Sequence, residues 1–127
     1  MRSMRTPLGR VHGLGSAKTG TEAFWHQRLT AIANIPLIIA GVVIVISLVG
    51  RNHAAAAQIL GSPVIAIVML LFILSVTYHM RIGMQVIIED YVHEEKSKLA
   101  LIVLNTFYAV AVALASAFAV LKLAFGV

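Results

Sequence analysis

The sequence contains no cysteine, which excludes disulfides, thiolate catalysis, iron–sulfur clusters and sulfur-based zinc sites from this chain. No thiolate is available to any metal it holds. Charge is scarce as well. Only 12% of the 127 residues are Asp, Glu, Lys or Arg, and 60% are hydrophobic, whereas soluble domains carry roughly 25% charged residues. These values exclude an ordinary soluble domain and imply an integral membrane protein. No nucleotide-binding motif, internal repeat or low-complexity tract is present, so the chain has nothing with which to hold flavin. Residues 1–18 also lack the apolar block of roughly 7–15 residues that a secretory signal needs.

What charge there is lies unevenly. The net +5 comes chiefly from the first 28 residues, where Arg2, Arg5, Arg10, Lys18 and Arg28 face Glu22 alone. On a membrane protein this asymmetry speaks to topology and anionic lipid, and no nucleic-acid partner is expected. Residues 1–24 read as a cytoplasmic basic N-terminal tail. An arginine-rich, acid-poor start also fits a mitochondrial transit peptide, although Pro7, Gly9, Gly13 and Gly15 make a poor amphipathic helix. Thr19 and Glu22 have capping-box spacing, which predicts a helix beginning near Thr21 with Trp25 at headgroup depth.

Residues 25–127 form a three-helix transmembrane domain in this reading, with spans at about 29–49, 64–88 and 99–121, each near the roughly 20 residues a bilayer requires. Pro36 removes a backbone donor from the first span and predicts a bend. Arg51, Asn52 and His53 mark its exit. Residues Ala54–Leu60 suggest a short surface helix, and Gly61-Ser62-Pro63 a restart with Ser62 as N-cap and Pro63 at the first helical position. The second helix, from about Val64 to Tyr91, would be about 42 Å long and must protrude from a core of roughly 30 Å. Val92 to Lys98 reads as a polar loop.

Lysine and arginine number five in the tail through Arg28, one in the first loop, two in the second and one at the carboxyl end. The positive-inside rule then places the tail and second loop in the cytoplasm and the carboxyl terminus outside. A bacterial inner-membrane protein is expected, with the mitochondrial inner membrane as the alternative.

The stretch Thr77–Tyr91, Thr-Tyr-His-Met-Arg-Ile-Gly-Met-Gln-Val-Ile-Ile-Glu-Asp-Tyr, breaks the uncharged run between Arg51 and Arg81. His79 falls inside the second span, about 24 Å inward of Pro63, and an ionisable group at such depth is a functional-site candidate by default. At about 100° per residue, Gly83, Val86 and Asp90 share its face, while Arg81 points nearly the opposite way. Gly83 leaves a flat hollow beside the imidazole, suited to a planar ligand or a closely packed helix. Asp90 and Tyr91 emerge at the inner surface, about 40 Å from Pro63. The bland alternatives are a His79 satisfied by a neighbouring helix or water, and a Tyr91 of the interfacial aromatic belt.

The spacing His79, Gly83, Asp90, Tyr91, with Met84 and Gln85 between, resembles the signature of the hydrophobic anchor subunit of succinate dehydrogenase, the smaller membrane subunit of respiratory complex II. The resemblance implies that His79 is an axial ligand of haem b, the iron being its metal, and that Tyr91 contacts ubiquinone beside Asp90. It further implies that Arg28, opening the pattern Arg-x-Thr-Ala-Ile, approaches the haem propionates. Arg28 anchoring the helix by snorkelling is the bland reading. Arg81 departs from the family pattern; snorkelling, a propionate and an anionic lipid stay open for it. His26 is a weaker propionate candidate. No second histidine lies deep in a span, so a partner must supply the other axial ligand.

The fold expected is therefore all-α and integral to the membrane, its three transmembrane helices forming part of a haem-binding bundle completed by a partner subunit. The function expected is that of a non-catalytic anchor in a succinate:ubiquinone oxidoreductase, beside a second membrane cytochrome b subunit, an iron–sulfur subunit and a flavoprotein subunit. An anchor for fumarate reduction or another quinone-linked cytochrome b is the alternative. A small transporter or structural membrane subunit is a further rival. The first and third spans offer it little beyond Asn34, Ser47, Asn105, Thr106 and Ser116, too little for a charged-substrate route.

Overall fold

A computed structural model of the chain describes Met4, residues 6–13 and residues 19–127, with the backbone alone at Thr19. Among these the secondary structure is entirely helical: α1 (Pro7–His12), α2 (Thr19–Leu48), α3 (His53–Leu60), α4 (Pro63–Tyr91) and α5 (Glu95–Phe125). Of these, α2, α4 and α5 are long and apolar enough to cross a membrane, so the chain is an all-α, multi-pass membrane protein.

The helix ends follow from their caps, and here the structure adjusts the sequence reading. Thr6 accepts from the Gly9 amide at 3.1 Å, Pro7 opens α1, and Gly13 closes it at φ 62, a left-handed conformation that costs glycine little. These caps outweigh the internal glycine that argued against a helix there. The charges at Arg2, Arg5 and Lys18 lie outside the described residues. Helix α2 already includes Thr19, two residues before the expected start, and the Thr19 side chain on which the capping box depends lies outside the described residues. Its helical run continues through Pro36 to Leu48. Asn52 accepts from the Ala55 amide at 2.9 Å and so caps α3. Ser62 occupies the N-cap position of α4 with Pro63 behind it, as expected, but its hydroxyl donates back to the Ile59 carbonyl at 2.9 Å and caps nothing.

The loop expected over Val92 to Lys98 is shorter than the sequence suggests, because α5 begins at Glu95. Ser97 donates to the Glu94 carboxylate at 2.6 Å, and Lys98 reaches back to the Glu89 carbonyl at 3.2 Å. A cation there satisfies an orphan carbonyl and opposes the negative end of the α4 dipole. Polar residues at the membrane surface thus continue the helix beyond the apolar run that announces it.

Helix α4 is the hub. It packs along both α2 and α5, while α3 tucks against the far ends of α4 and α5. Only 11% of the most apolar stretch of each span is buried within the chain, so most of its surface is left to lipid or to other subunits. With apolar surroundings on every side, packing and hydrogen bonds rather than water exclusion must hold the helices together, each bond contributing about 0.6 kcal/mol. Ser75 donates to buried Asn34 at 2.7 Å between α4 and α2. Buried Asn105 of α5 donates to the Arg81 carbonyl at 2.9 Å. At the far end, a Cβ on Gly61 would stand 2.6 Å from the Leu123 carbonyl oxygen, so only glycine allows α3 to approach α5 so closely.

Candidate functional site

The site is built where α2 crosses α4. His79 is half-buried and lies with Nδ1 3.0 Å from the hydroxyl of Thr30. That hydroxyl is also 2.8 Å from the His26 carbonyl and 3.1 Å from the Gln27 carbonyl, one turn back along α2. The other ring nitrogen of His79, Nε2, has no hydrogen-bond partner among the described residues. The histidine is therefore satisfied by a helix on one side and open on the other.

Beside it, Gly83 gives the α4 surface a flat step, and α2 uses it: a Cβ there would meet the Gln27 amide nitrogen at 3.3 Å. The Gln27 side chain of α2 thus reaches over the hollow expected there. The side-chain amide oxygen of Gln27, Oε1, is buried without a hydrogen-bond partner among the described residues, a costly arrangement that an additional donor would relieve. Next to His79 in sequence, Tyr78 turns its hydroxyl to His26 Nδ1 at 3.1 Å, with the rings edge to face at 5.9 Å. His26 thus joins the α2–α4 contact, a role its sequence position did not indicate.

The other candidates fall elsewhere. Arg28 is exposed, its guanidinium 5.1 Å over the Phe24 ring; it lies two residues and about 200° round the helix from Thr30. Arg81, on the face of α4 away from His79, donates from Nε to Thr106 of α5 at 3.4 Å and stands at the edge of an apolar cavity of about 310 Å³ with Leu74 and Ala113. The nearly opposite directions inferred for His79 and Arg81 are thus realised as contacts with different helices. Asp90 and Tyr91 are both exposed at the end of α4, Tyr91 at 78%, and neither side chain hydrogen-bonds a described residue.

Sequence reasoning did not single out Thr30, Gln27 or Tyr78 as partners. Thr30 lay in plain view inside the Arg28–Ile32 pattern, but the period of α2 alone cannot say which of its faces meets α4.

Three helices long and apolar enough to cross a membrane, the middle one carrying a half-buried imidazole, define a multi-pass membrane protein. Residues 2–113 match the family model of the succinate dehydrogenase/fumarate reductase transmembrane subunit. The chain belongs to that family, as the resemblance over Thr77–Tyr91 implied. It is 27% identical to the succinate dehydrogenase hydrophobic membrane anchor subunit of Paracoccus denitrificans over 121 residues, covering 95% of this chain and 93% of that one. It is 32% identical to the subunit of the same description from Rickettsia bellii, covering 78% of this chain and 79% of that one. With the succinate dehydrogenase membrane anchor subunit of Reclinomonas americana it shares 31% identity, covering 68% and 75% respectively. No solved structure matches the chain significantly.

Proposed function

We propose that this chain anchors a succinate:ubiquinone oxidoreductase in the membrane, holds haem b jointly with a second membrane cytochrome b subunit, and forms part of the ubiquinone site beside the iron–sulfur subunit. Succinate chemistry belongs to the flavoprotein subunit. The observation that carries the reading is His79: an imidazole within a span, engaged at Nδ1 and open at Nε2, in a chain of this family. The family description spans both succinate dehydrogenase and fumarate reductase, and the direction of turnover is set by redox potentials outside this chain.

The donor set fits half of a haem site. Among the described residues no three His, Asp or Glu gather as a metal centre, whereas haem b asks each subunit for only one imidazole when two share it. The unpartnered Oε1 of Gln27, whose side-chain nitrogen lies over Gly83, further supports a site that is finished by something outside the chain. His79 would hold the iron, and Arg28, after leaving the Phe24 ring, would pair with a propionate through its forked donors. Bound haem would supply a one-electron centre within the membrane.

Tyr91 and Asp90 serve the quinone. A phenol donates to a quinone carbonyl, and the adjacent carboxylate orients the site or relays protons through water. Both are exposed at the end of α4, about 18 Å along the helix from His79, where a soluble iron–sulfur subunit can dock. An absorption spectrum of the purified complex tests the reading: reduced b-type bands are expected. A complex containing this subunit and its partner in full stoichiometry but lacking those bands would overturn it.

The distribution of positive charge supports an orientation with the tail and the α4–α5 loop cytoplasmic and α3 and the carboxyl terminus outside, in a bacterial inner membrane. Cysteines placed singly at His53 and His93, both exposed, decide it. In cells stripped of any outer envelope, a membrane-impermeant maleimide is expected to label His53→Cys and spare His93→Cys. The reverse pattern inverts the topology.

A further inference from the structure

We infer that Thr30 is a positioning residue that fixes the tautomer of His79 and so presents a bare Nε2 to the metal, an inference that rests on His79 being an axial haem ligand. The Thr30 hydroxyl has one proton and three neighbours within bonding distance: the His26 carbonyl at 2.8 Å, the Gln27 carbonyl at 3.1 Å and His79 Nδ1 at 3.0 Å. The two carbonyl oxygens can only accept. Were the proton turned to Nδ1, the hydroxyl oxygen would face both carbonyls lone pair to lone pair, at distances that only a hydrogen bond makes favourable. Back-bonding to the carbonyls three and four residues earlier is moreover the common habit of a threonine within a helix. The proton therefore goes to the α2 backbone, and the oxygen is left to accept from His79.

Nδ1 of His79 must then carry hydrogen, and the neutral ring leaves the Nε2 lone pair free. This assignment comes from the network of distances around one oxygen. It gives Thr30 two effects on a ligand at Nε2. The ring is held against rotation about its own bonds, and donation from Nδ1–H enriches the imidazole in electron density, making it a better ligand for the oxidised metal. The hydroxyl is itself held by the backbone of α2, so the orientation of His79 is set by a rigid helix and not by a mobile side chain.

The test uses the assembled complex with Thr30→Val, which keeps the shape and removes the hydroxyl, Thr30→Ser, which keeps the hydroxyl and removes the methyl, and Thr30→Ala, which removes both. The readings are the haem midpoint potential and the electron paramagnetic resonance signal of the low-spin ferric form. Thr30→Val and Thr30→Ala are expected to raise the potential, shifting the oxidised-to-reduced ratio by up to roughly tenfold, or about 59 mV for one electron, and to move the low-spin signal. Thr30→Ser is expected to match the wild type. If Thr30→Val and Thr30→Ala both keep the wild-type potential and signal, the inference is overturned. It is overturned equally if Thr30→Ser shifts as far as Thr30→Ala, because the methyl would then be the active part. Should Thr30→Val fail to assemble, the comparison of Ser with Ala makes the same decision. A His79→Ala complex that retains the wild-type signal defeats the ligand reading itself, an outcome visible without any change at Thr30.

Discussion

Replacing His79 by alanine is expected to remove the low-spin haem signature from the assembled complex while leaving the helical layer standing. The fold loses a half-buried ring and its bond to Thr30, about 0.6 kcal/mol for an intramembrane hydrogen bond. Helix α2 remains tied to α4 through Asn34 with Ser75 and His26 with Tyr78. The site loses far more, since no substitute stands nearby. His12, His53 and His93 lie in the tail or at surface positions, and His26 is engaged with Tyr78. Removing an axial ligand should cost more than the roughly 10–100-fold in metal affinity that removal of an outer-shell partner costs. Haem per complex and the reduced low-spin bands should therefore both collapse. A His79→Ala complex with unchanged bands and potential would return His79 to a purely structural role as the partner of Thr30.

Tyr91→Phe is expected to lower quinone-dependent turnover by about tenfold, the equivalent of one hydrogen bond of about 1.4 kcal/mol. Haem content and succinate oxidation by an artificial acceptor at the soluble subunits should stay at wild-type levels. The Tyr91 side chain makes this a clean substitution. Its hydroxyl bonds no described residue, and the residue is 78% exposed at the last position of α4, so its loss leaves no unpaired group inside the chain. Any loss of turnover then reports on what the hydroxyl meets outside the chain. Wild-type turnover and wild-type quinone affinity together would assign Tyr91 to the interfacial aromatic belt and move the quinone's donor to a partner subunit.

Hydropathy made the three spans legible because lipid demands unbroken apolar helix, and His79 was legible because it violates that demand. The direction of Arg81 was legible too. A helical rotation of about 200° from His79 sends it to Thr106 on α5. The starts of α2 and α5 were not, since Thr19, Glu95 and Lys98 wind into helices whose apolar runs begin further on. Thr30 was hidden for a different reason. It meets His79 across 49 residues of chain, and such a meeting depends on how two helices are rotated about their axes. That rotation is set by Asn34 with Ser75 and by Gln27 over Gly83, contacts between residues whose types alone do not announce a pair. Helix α1 was missed by weighing its glycines above Thr6 and Pro7, whose capping positions decide so short an element.

The central place of α4 also fixes what each span meets as the chain is made. When α4 enters the bilayer its only long neighbour, α2, is already there, and the imidazole of His79 finds the Thr30 hydroxyl waiting. Arg81 arrives in the same helix but has no such welcome. Its side-chain partner, Thr106, and the amide of Asn105 that bonds its carbonyl both belong to α5, which is synthesised after α4. A chain halted after Tyr91 would thus hold its histidine at ease and its arginine stranded, and it is the arrival of α5 that ends that imbalance.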